Sequence, residues 1–232
     1  MKAFSSRPRC GKALMAAGFL VLLLAFFLLR IHIVGTDWRL YRKLQIRYGV
    51  QEENLEALDQ ALSEYLKGDE TALLSTNAFG AKELLHMQDV FALFVLLRQV
   101  TAALFAAAAI LLGVGIGLHG PGRLRACEAS AKLGSLLLLL VMGVLGIWAW
   151  RDFTGLFHAF HRLLFRNELW LLNPQTDLLI RICPEGMFLD MLARILGDTL
   201  LFAVCLPLSF AIPEKILRRM SHELRNQNAR QG

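Results

Sequence analysis

Residues 13–34 read ALMAAGFLVLLLAFFLLRIHIV, and Arg30 is the only charged residue in this run. At about 1.5 Å per residue, a helix of this length crosses the roughly 30 Å hydrocarbon core of a bilayer. The run is longer than the apolar segment of a cleaved signal peptide, and no Ala-x-Ala-like site follows it. We therefore expect it to stay in the protein as a membrane helix.

Three more runs of this kind follow, at about residues 90–118, 131–150 and 188–212. Of the 232 residues, 56% are apolar, which is above the usual share for soluble domains. The remaining residues are too few to cover four such helices with protein. The sequence therefore predicts an all-α integral membrane protein with four transmembrane helices, forming a single membrane domain over residues 1–232.

The positive charges of the chain lie mostly beside these runs. The net charge of +6 therefore indicates contact with anionic lipid headgroups, and we expect no nucleic-acid partner. Because cations near span ends favour the cytoplasmic side, both termini should be cytoplasmic. The outer segments are then residues 35–89 and 151–187. The cations used are Lys2, Arg7, Arg9, Lys12, Arg123, Arg125, Lys132, Lys215, Arg218, Arg219, Arg225 and Arg230.

The first outer segment has the pattern of two helices. In the first, from Glu52 to Leu66, leucines at 55, 58, 62 and 66 form one apolar stripe, typical of a helix on or above the bilayer. The second should begin near Ala78 and run into the second span. It places His86 between two acids three residues away, Glu83 and Asp89, which share its helical face.

The second outer segment begins with an amphipathic interfacial helix. Its apolar face should carry Phe157, Phe160, His161, Leu164 and Phe165, with His158 at the edge. His161 is unexpected there, because a polar side chain on an apolar stripe needs a partner or a function.

Later in the same segment, Asp177 is a suitable N-cap for a short helix from Leu178 to Ile182. Pro184 should end that helix before the fourth span.

No familiar nucleotide, metal or nucleophile motif is present in the sequence. The glycine-rich GVGIG at residues 113–117 follows no strand, so we interpret it as close helix packing. The four cysteines form no disulfide or metal pattern. We expect Cys10 and Cys127 on the inner side, Cys183 on the outer side and Cys205 within a span.

Three stretches together resemble the four-span lipoprotein intramolecular transacylases, the Lit family. They are ALSEYLKGD, ELLHMQDV and FHRLLFRNELWLLNPQTDLLIRICP. The resemblance covers nearly the whole chain, and residues 160–184 are its most specific part. It implies a bacterial cytoplasmic membrane enzyme that moves the sn-2 acyl chain of a lipoprotein's diacylglyceryl cysteine to the cysteine α-amine.

The resemblance also implies a site at the outer-leaflet face with two catalytic histidines, His86 and His161. We expect His86 to be the general base, oriented by Asp89 or Glu83, and His161 the proton donor or oxyanion stabiliser, although the roles could be exchanged. Supporting residues would be His158, Asn167, Trp170 and Asp177. Substrates would be diacylated lipoproteins among membrane lipids, with no cofactor or metal; the oligomeric state is open.

Two other classes of function stay open at this point. Metal-dependent hydrolysis would use His86, Asp89, His158 and His161 as zinc ligands. A non-enzymatic lipid-binding or assembly protein would use its histidines only to tune the membrane interface. Loss of activity on chelation would indicate the first, and insensitivity to single histidine substitutions would indicate the second.

Overall fold

The computed structural model describes residues 7–119 and 122–231, and these are helical with no strand. Besides a short 3-10 turn at Leu74–Thr76, there are eight helices in this part of the chain. They are α1 (Arg7–Gly35), α2 (Trp38–Arg47), α3 (Leu55–Lys67), α4 (Ala81–His119), α5 (Arg123–Arg151), α6 (Phe153–Leu164), α7 (Leu178–Ile182) and α8 (Glu185–Gln231).

Four helices are long and apolar enough to cross a membrane, and each contains one of the predicted runs. The candidate spans are Arg9–Gly35, Ala81–His119, Arg123–Arg151 and Glu185–Ile216. The predicted class, an all-α membrane protein with four spans, is thus confirmed.

Of the cations used for orientation, Lys2 lies outside the described residues. The single-domain prediction stays a prediction; the chain packs as two compact units.

The first unit comprises residues 1–26, 102–141 and 199–232. Its core includes Met15, Phe19 and Cys127, all buried. Gly115, from the GVGIG run, lies so close to α1 that an added Cβ would come within 2.9 Å of the Gly11 carbonyl oxygen. This contact confirms close helix packing at Gly115, because any side chain there would separate the two helices.

The second unit comprises residues 27–101 and 142–198 and contains every predicted site residue. Its core is built largely from the short helices α2, α3 and α7 and the neighbouring ends of the long helices. The leucine stripe of α3 is fully buried in that core, with each leucine at most 6% exposed. The predicted stripe is thus the buried face of α3, and protein covers it.

Polar side chains also lie inside this core. Gln45 and Asp59 are both fully buried, and the Gln45 Nε2 donates to Asp59 Oδ1 at 2.7 Å and to the Ile182 carbonyl at 3.1 Å. The second carboxylate oxygen of Asp59 has no hydrogen-bond partner among the described residues. Burial raises the pKa of Asp59 to about 6, against the weaker opposing effect of the Gln45 hydrogen bond.

Helix bounds differ from the predicted ones by a few residues. Helix α3 begins at Leu55 rather than Glu52, after Asn54 in the left-handed region (φ 55°), and ends at Lys67, before the C-cap Gly68 (φ 132°). Helix α4 begins at Ala81 rather than Ala78.

Cys183, which we expect on the outer side, is not accessible in the fold. Its side chain is buried and burial raises its pKa to about 12, so the thiol should not react with external reagents.

Candidate active site

The structure brings the two predicted histidines together. His86 lies on the second turn of α4 and His161 lies near the end of α6, and their ring centroids are 6.2 Å apart. Both are buried, with 7% and 8% exposure. Two imidazoles at this separation can contact the same small group, which is the arrangement that paired acid–base chemistry requires.

A backbone hydrogen bond determines which nitrogen of His161 carries the proton. Its Nδ1 lies 2.7 Å from the Phe157 carbonyl oxygen, one turn earlier on α6. Because a carbonyl only accepts, Nδ1 must donate, and the neutral ring then has its free lone pair on Nε2. Burial lowers the pKa of His161, and the Phe157 hydrogen bond opposes this lowering in part. The neutral, proton-accepting form is therefore the resting form near pH 7.

His86 has a different environment. Its Nδ1 is buried and has no hydrogen-bond partner among the described residues. The two acids expected to orient it bond elsewhere: Asp89 accepts from Asn167 Nδ2 at 2.8 Å, and Glu83 accepts from two backbone N–H groups. Neither carboxylate forms a hydrogen bond to the imidazole, so the predicted acid–histidine pairing on α4 is not present in this structure.

Aromatic rings surround the pair. Phe165 lies edge-on to His86 at 5.2 Å between centroids, and Phe157 lies 4.1 Å from His161. Trp170 stacks on His161 at 4.9 Å with an interplanar angle of 27°. Such rings exclude water from the imidazoles without competing for their protons.

The predicted apolar face of α6 is divided in the structure. Phe160 and Leu164 are exposed, at 53% and 39%, whereas His161 and Phe165 are buried. His161 is thus turned into the protein and the two apolar residues are turned away from it. His158 is half-buried and meets the edge of Trp170 at 5.4 Å, so it contacts the same tryptophan from another side.

The loop between α6 and α7 carries the remaining predicted residues. Trp170 Nε1 donates to the Asn167 carbonyl at 3.0 Å, which holds the indole within the loop. Asp177 precedes α7 as predicted but does not cap it. Its carboxylate accepts instead from the Asn173 backbone N–H at 2.7 Å and the Thr176 hydroxyl at 2.9 Å, and these bonds lower its pKa.

Glu83, rather than Asp177, accepts a hydrogen bond from the first turn of α7. Its Oε1 accepts from the Leu179 N–H in the first turn of α7 at 2.5 Å, and its Oε2 accepts from Gly80 N–H at 2.6 Å. The Gly80 bond could have been anticipated, because a Glu three residues after the N-cap commonly bonds back to the cap. The Leu179 bond joins residues 96 positions apart, and no local pattern predicts it.

The zinc-site alternative has no matching geometry in residues 7–119 and 122–231. Within these ranges, no three His, Cys, Asp or Glu side chains are grouped closely enough to hold a metal ion. The four side chains considered for that site make separate contacts. His86 faces His161, Asp89 accepts a hydrogen bond from Asn167, and His158 meets the edge of Trp170.

The fold and site together define a class: a polytopic helical membrane protein with a buried pair of histidines, one on a candidate span and one on the short helix α6. A profile of the lipoprotein intramolecular transacylase family, Lit, matches residues 15–188. The chain belongs to this family of membrane acyltransferases.

Solved structures of the membrane-integral lipoprotein intramolecular transacylase Lit from Bacillus cereus have the same fold. One is 18% identical, covers 92% of this chain and 98% of its own, and gives a TM-score of 0.60. Variants of that protein with one histidine replaced by arginine or by alanine both give 0.71, at 21% and 20% identity. They cover 92% and 91% of this chain, and 94% and 96% of their own. Comparison with curated protein sequences found no match.

Proposed function

We propose that this protein transfers the sn-2 acyl chain of an S-diacylglyceryl cysteine to the α-amine of the same cysteine. The product is an N-acyl, S-monoacylglyceryl lipoprotein. The observation that carries this proposal is the buried pair of His86 and His161, in which His161 has its proton fixed on Nδ1. Ester and amine belong to one substrate, so the reaction needs no donor, cofactor or water.

His161 is the general base in this proposal. The hydrogen bond to Phe157 keeps the proton of its neutral ring on Nδ1 and leaves Nε2 free to accept one from the substrate. This reverses the assignment expected from the sequence, which gave the base role to His86. As the α-amine attacks the sn-2 carbonyl carbon, His161 takes the proton that the new ammonium must lose.

His86 is then the donor. It carries an N–H that can stabilise the oxyanion of the tetrahedral intermediate and pass a proton to the departing glyceryl oxygen. The carbonyl carbon gains a bond to nitrogen and loses its bond to that oxygen. His161 gains one proton from the substrate ammonium, and His86 gives one proton to the new hydroxyl. Transfer of a proton from His161 to His86 then returns both histidines to their starting state.

The enclosure of the pair favours amide formation over hydrolysis. Phe157, Phe165 and Trp170 contact the imidazoles, and both imidazoles are more than nine-tenths buried. Water is thereby kept from the ester while the tethered amine competes at high effective concentration.

The proposal also includes the location of the reaction. The host membrane is the bacterial cytoplasmic membrane, with both termini cytoplasmic and the histidine pair at the outer-leaflet face. Support comes from the cations beside α1, α5 and α8. The substrate's remaining acyl chain can stay in lipid during the transfer, and diacylated lipoproteins reach this face after export.

Mass spectrometry of a lipoprotein's N-terminal peptide tests the proposal. Cells that express this chain should yield a peptide with an amide-linked acyl group and one glyceryl ester. Cells with the His161→Ala variant should yield two glyceryl esters and a free amine. Identical diacylglyceryl peptides from both strains would contradict the proposed function.

A further inference from the structure

The loop between α6 and α7 is attached to α4 at three points. Asn167 bonds Asp89, the Leu171 carbonyl accepts from Lys82 Nζ at 2.5 Å, and the α7 N-terminus bonds Glu83. Trp170, which stacks on His161, lies between the first two attachments. The position of this indole therefore depends on how the loop is held against α4.

Of the three groups that α4 contributes, Glu83 is the only buried one. It is 3% exposed, whereas Lys82 is exposed and Asp89 is half-buried. Water can replace the hydrogen bond of the exposed lysine, and in part that of the half-buried aspartate, at small cost, but it cannot replace a buried one. Glu83 also lies three residues before His86 on the same helix, so one side chain connects the donor's helix to the segment beyond Trp170.

The carboxylate is required because both of its partners are donors. The Gly80 and Leu179 N–H groups each need an acceptor oxygen, and Glu83 supplies one to each. A glutamine has one acceptor oxygen and one NH₂ group, so it would leave one buried N–H unpaired. We propose, on the basis of the proposed acyl transfer, that Glu83 is a positioning residue. It holds the α6–α7 loop on α4 and thereby keeps Trp170 stacked on His161.

Kinetics of purified enzyme in detergent test this inference. The substrate is a synthetic peptide with an S-diacylglyceryl cysteine and a free α-amine, and rates are given per folded enzyme. Glu83→Gln should lower kcat by about 10- to 100-fold with little change in KM, because a misplacement of about 1 Å at a reacting pair costs this much. Asp59→Asn, another buried carboxylate changed to an amide in the same unit, should keep full kcat at pH 7.

A double variant separates positioning from general stability. If Glu83 acts through Trp170, then Glu83→Gln in a Trp170→Ala background should cost less than threefold, since the stacking it protects is already gone. Multiplicative losses, or full kcat in folded Glu83→Gln, would overturn the inference. If Glu83→Gln does not accumulate, Glu83→Asp takes its place, because the shorter side chain cannot reach both N–H groups.

The outcomes for the two proposals differ. If the wild-type enzyme gives no N-acyl peptide, the proposed function itself fails. If wild-type and Glu83→Gln enzymes form it equally fast, only the role of Glu83 fails.

Discussion

His161 shows how much a single residue can reveal before the structure is known. A histidine within an apolar stripe is costly unless it is satisfied or used, so this residue was unexpected in the sequence, and the family resemblance then implied its catalytic role. Its carbonyl partner and tautomer could not be identified in the same way. Any helical histidine has a carbonyl one turn earlier, and only the rotamer decides whether Nδ1 reaches it.

The two neighbouring histidines of α6 should differ sharply when each is replaced. His161→Ala removes the proposed general base and should lower the acyl-transfer rate about 10²–10⁴-fold, and His86→Ala should have a similar effect. The double variant should be little worse than either, because the two residues act as a unit. His158→Ala removes ring contacts with Trp170 and Phe157 but neither imidazole of the pair, and it should keep most of the activity. The measurement is the N-acylated fraction of the lipopeptide.

Membrane accumulation of each variant, followed by immunoblot, serves as the control for folding. An inactive His158→Ala enzyme together with an active His161→Ala enzyme would mean that the base is the other histidine of α6.

The pH dependence of the reaction should report the lowered pKa of His161. Two groups must lose protons before attack: the substrate amine, with a usual pKa of about 8, and the imidazole, whose pKa lies below the ordinary 6.5. Log kcat/KM should therefore rise with a slope of about one between about pH 6.5 and 8, and steepen toward two only below 6.5. A slope of two already above pH 6.5 would show that burial does not lower this pKa.

At the scale of elements, periodicity predicted α3 and α6 and the continuity of α4 with its span. Helix α2 was not predicted, although Asp37 caps it through the Arg39 and Leu40 N–H groups. Its core-facing side includes Gln45, and a buried glutamine does not register as an apolar position. For α3, periodicity predicted that one face is buried but could not show whether lipid or protein covers it.

The buried carboxylate of α3 should make the protein less stable at neutral pH than in mild acid. Unfolded Asp59 loses its proton near pH 3.8, but folded Asp59 keeps it until about pH 6. The free energy of unfolding should therefore fall by roughly 3 kcal/mol as pH rises through this window, and stay level above it. Asp59→Asn removes this loss, and its NH₂ can donate to Gln45 Oε1, which has no partner in the part of the chain that the structure describes.

Thermal unfolding in detergent checks this expectation. Asp59→Asn should melt higher than wild type at pH 7.5 and at nearly the same temperature at pH 4. Glu56→Gln, on the exposed side of α3, controls for the change in charge. Equal melting temperatures for wild type and Asp59→Asn at pH 7.5 would mean that Asp59 is ionised in the fold without penalty.

At the scale of the whole molecule, hydropathy alone was sufficient for the four spans, because backbone in lipid has few alternatives to a helix. The pairing of α4 with α6 could not be derived from local pattern. It brings together residues 75 positions apart, and only the family resemblance anticipated it. Orientation stays a prediction that rests on cations in the flanks.

Introduced cysteines provide a direct test of orientation, since Cys183 is buried. In a background with Cys10 and Cys205 changed to alanine, Gln175→Cys lies in the exposed loop before α7 and Ala129→Cys is exposed on α5. A membrane-impermeant maleimide on intact spheroplasts should label the first, and label the second only after lysis. Labelling of Ala129→Cys before lysis would place the termini outside and contradict the proposed face of the site.

The stacking of Trp170 on His161 has an optical consequence. A protonated imidazole in contact with an indole quenches its fluorescence, whereas a neutral imidazole does so far less. With Trp38, Trp148 and Trp150 changed to phenylalanine, the emission of Trp170 becomes a gauge of the charge on His161. His161 is the proposed general base. The fluorescence of Trp170 would therefore report protonation of the same imidazole that takes a proton from the substrate during acyl transfer.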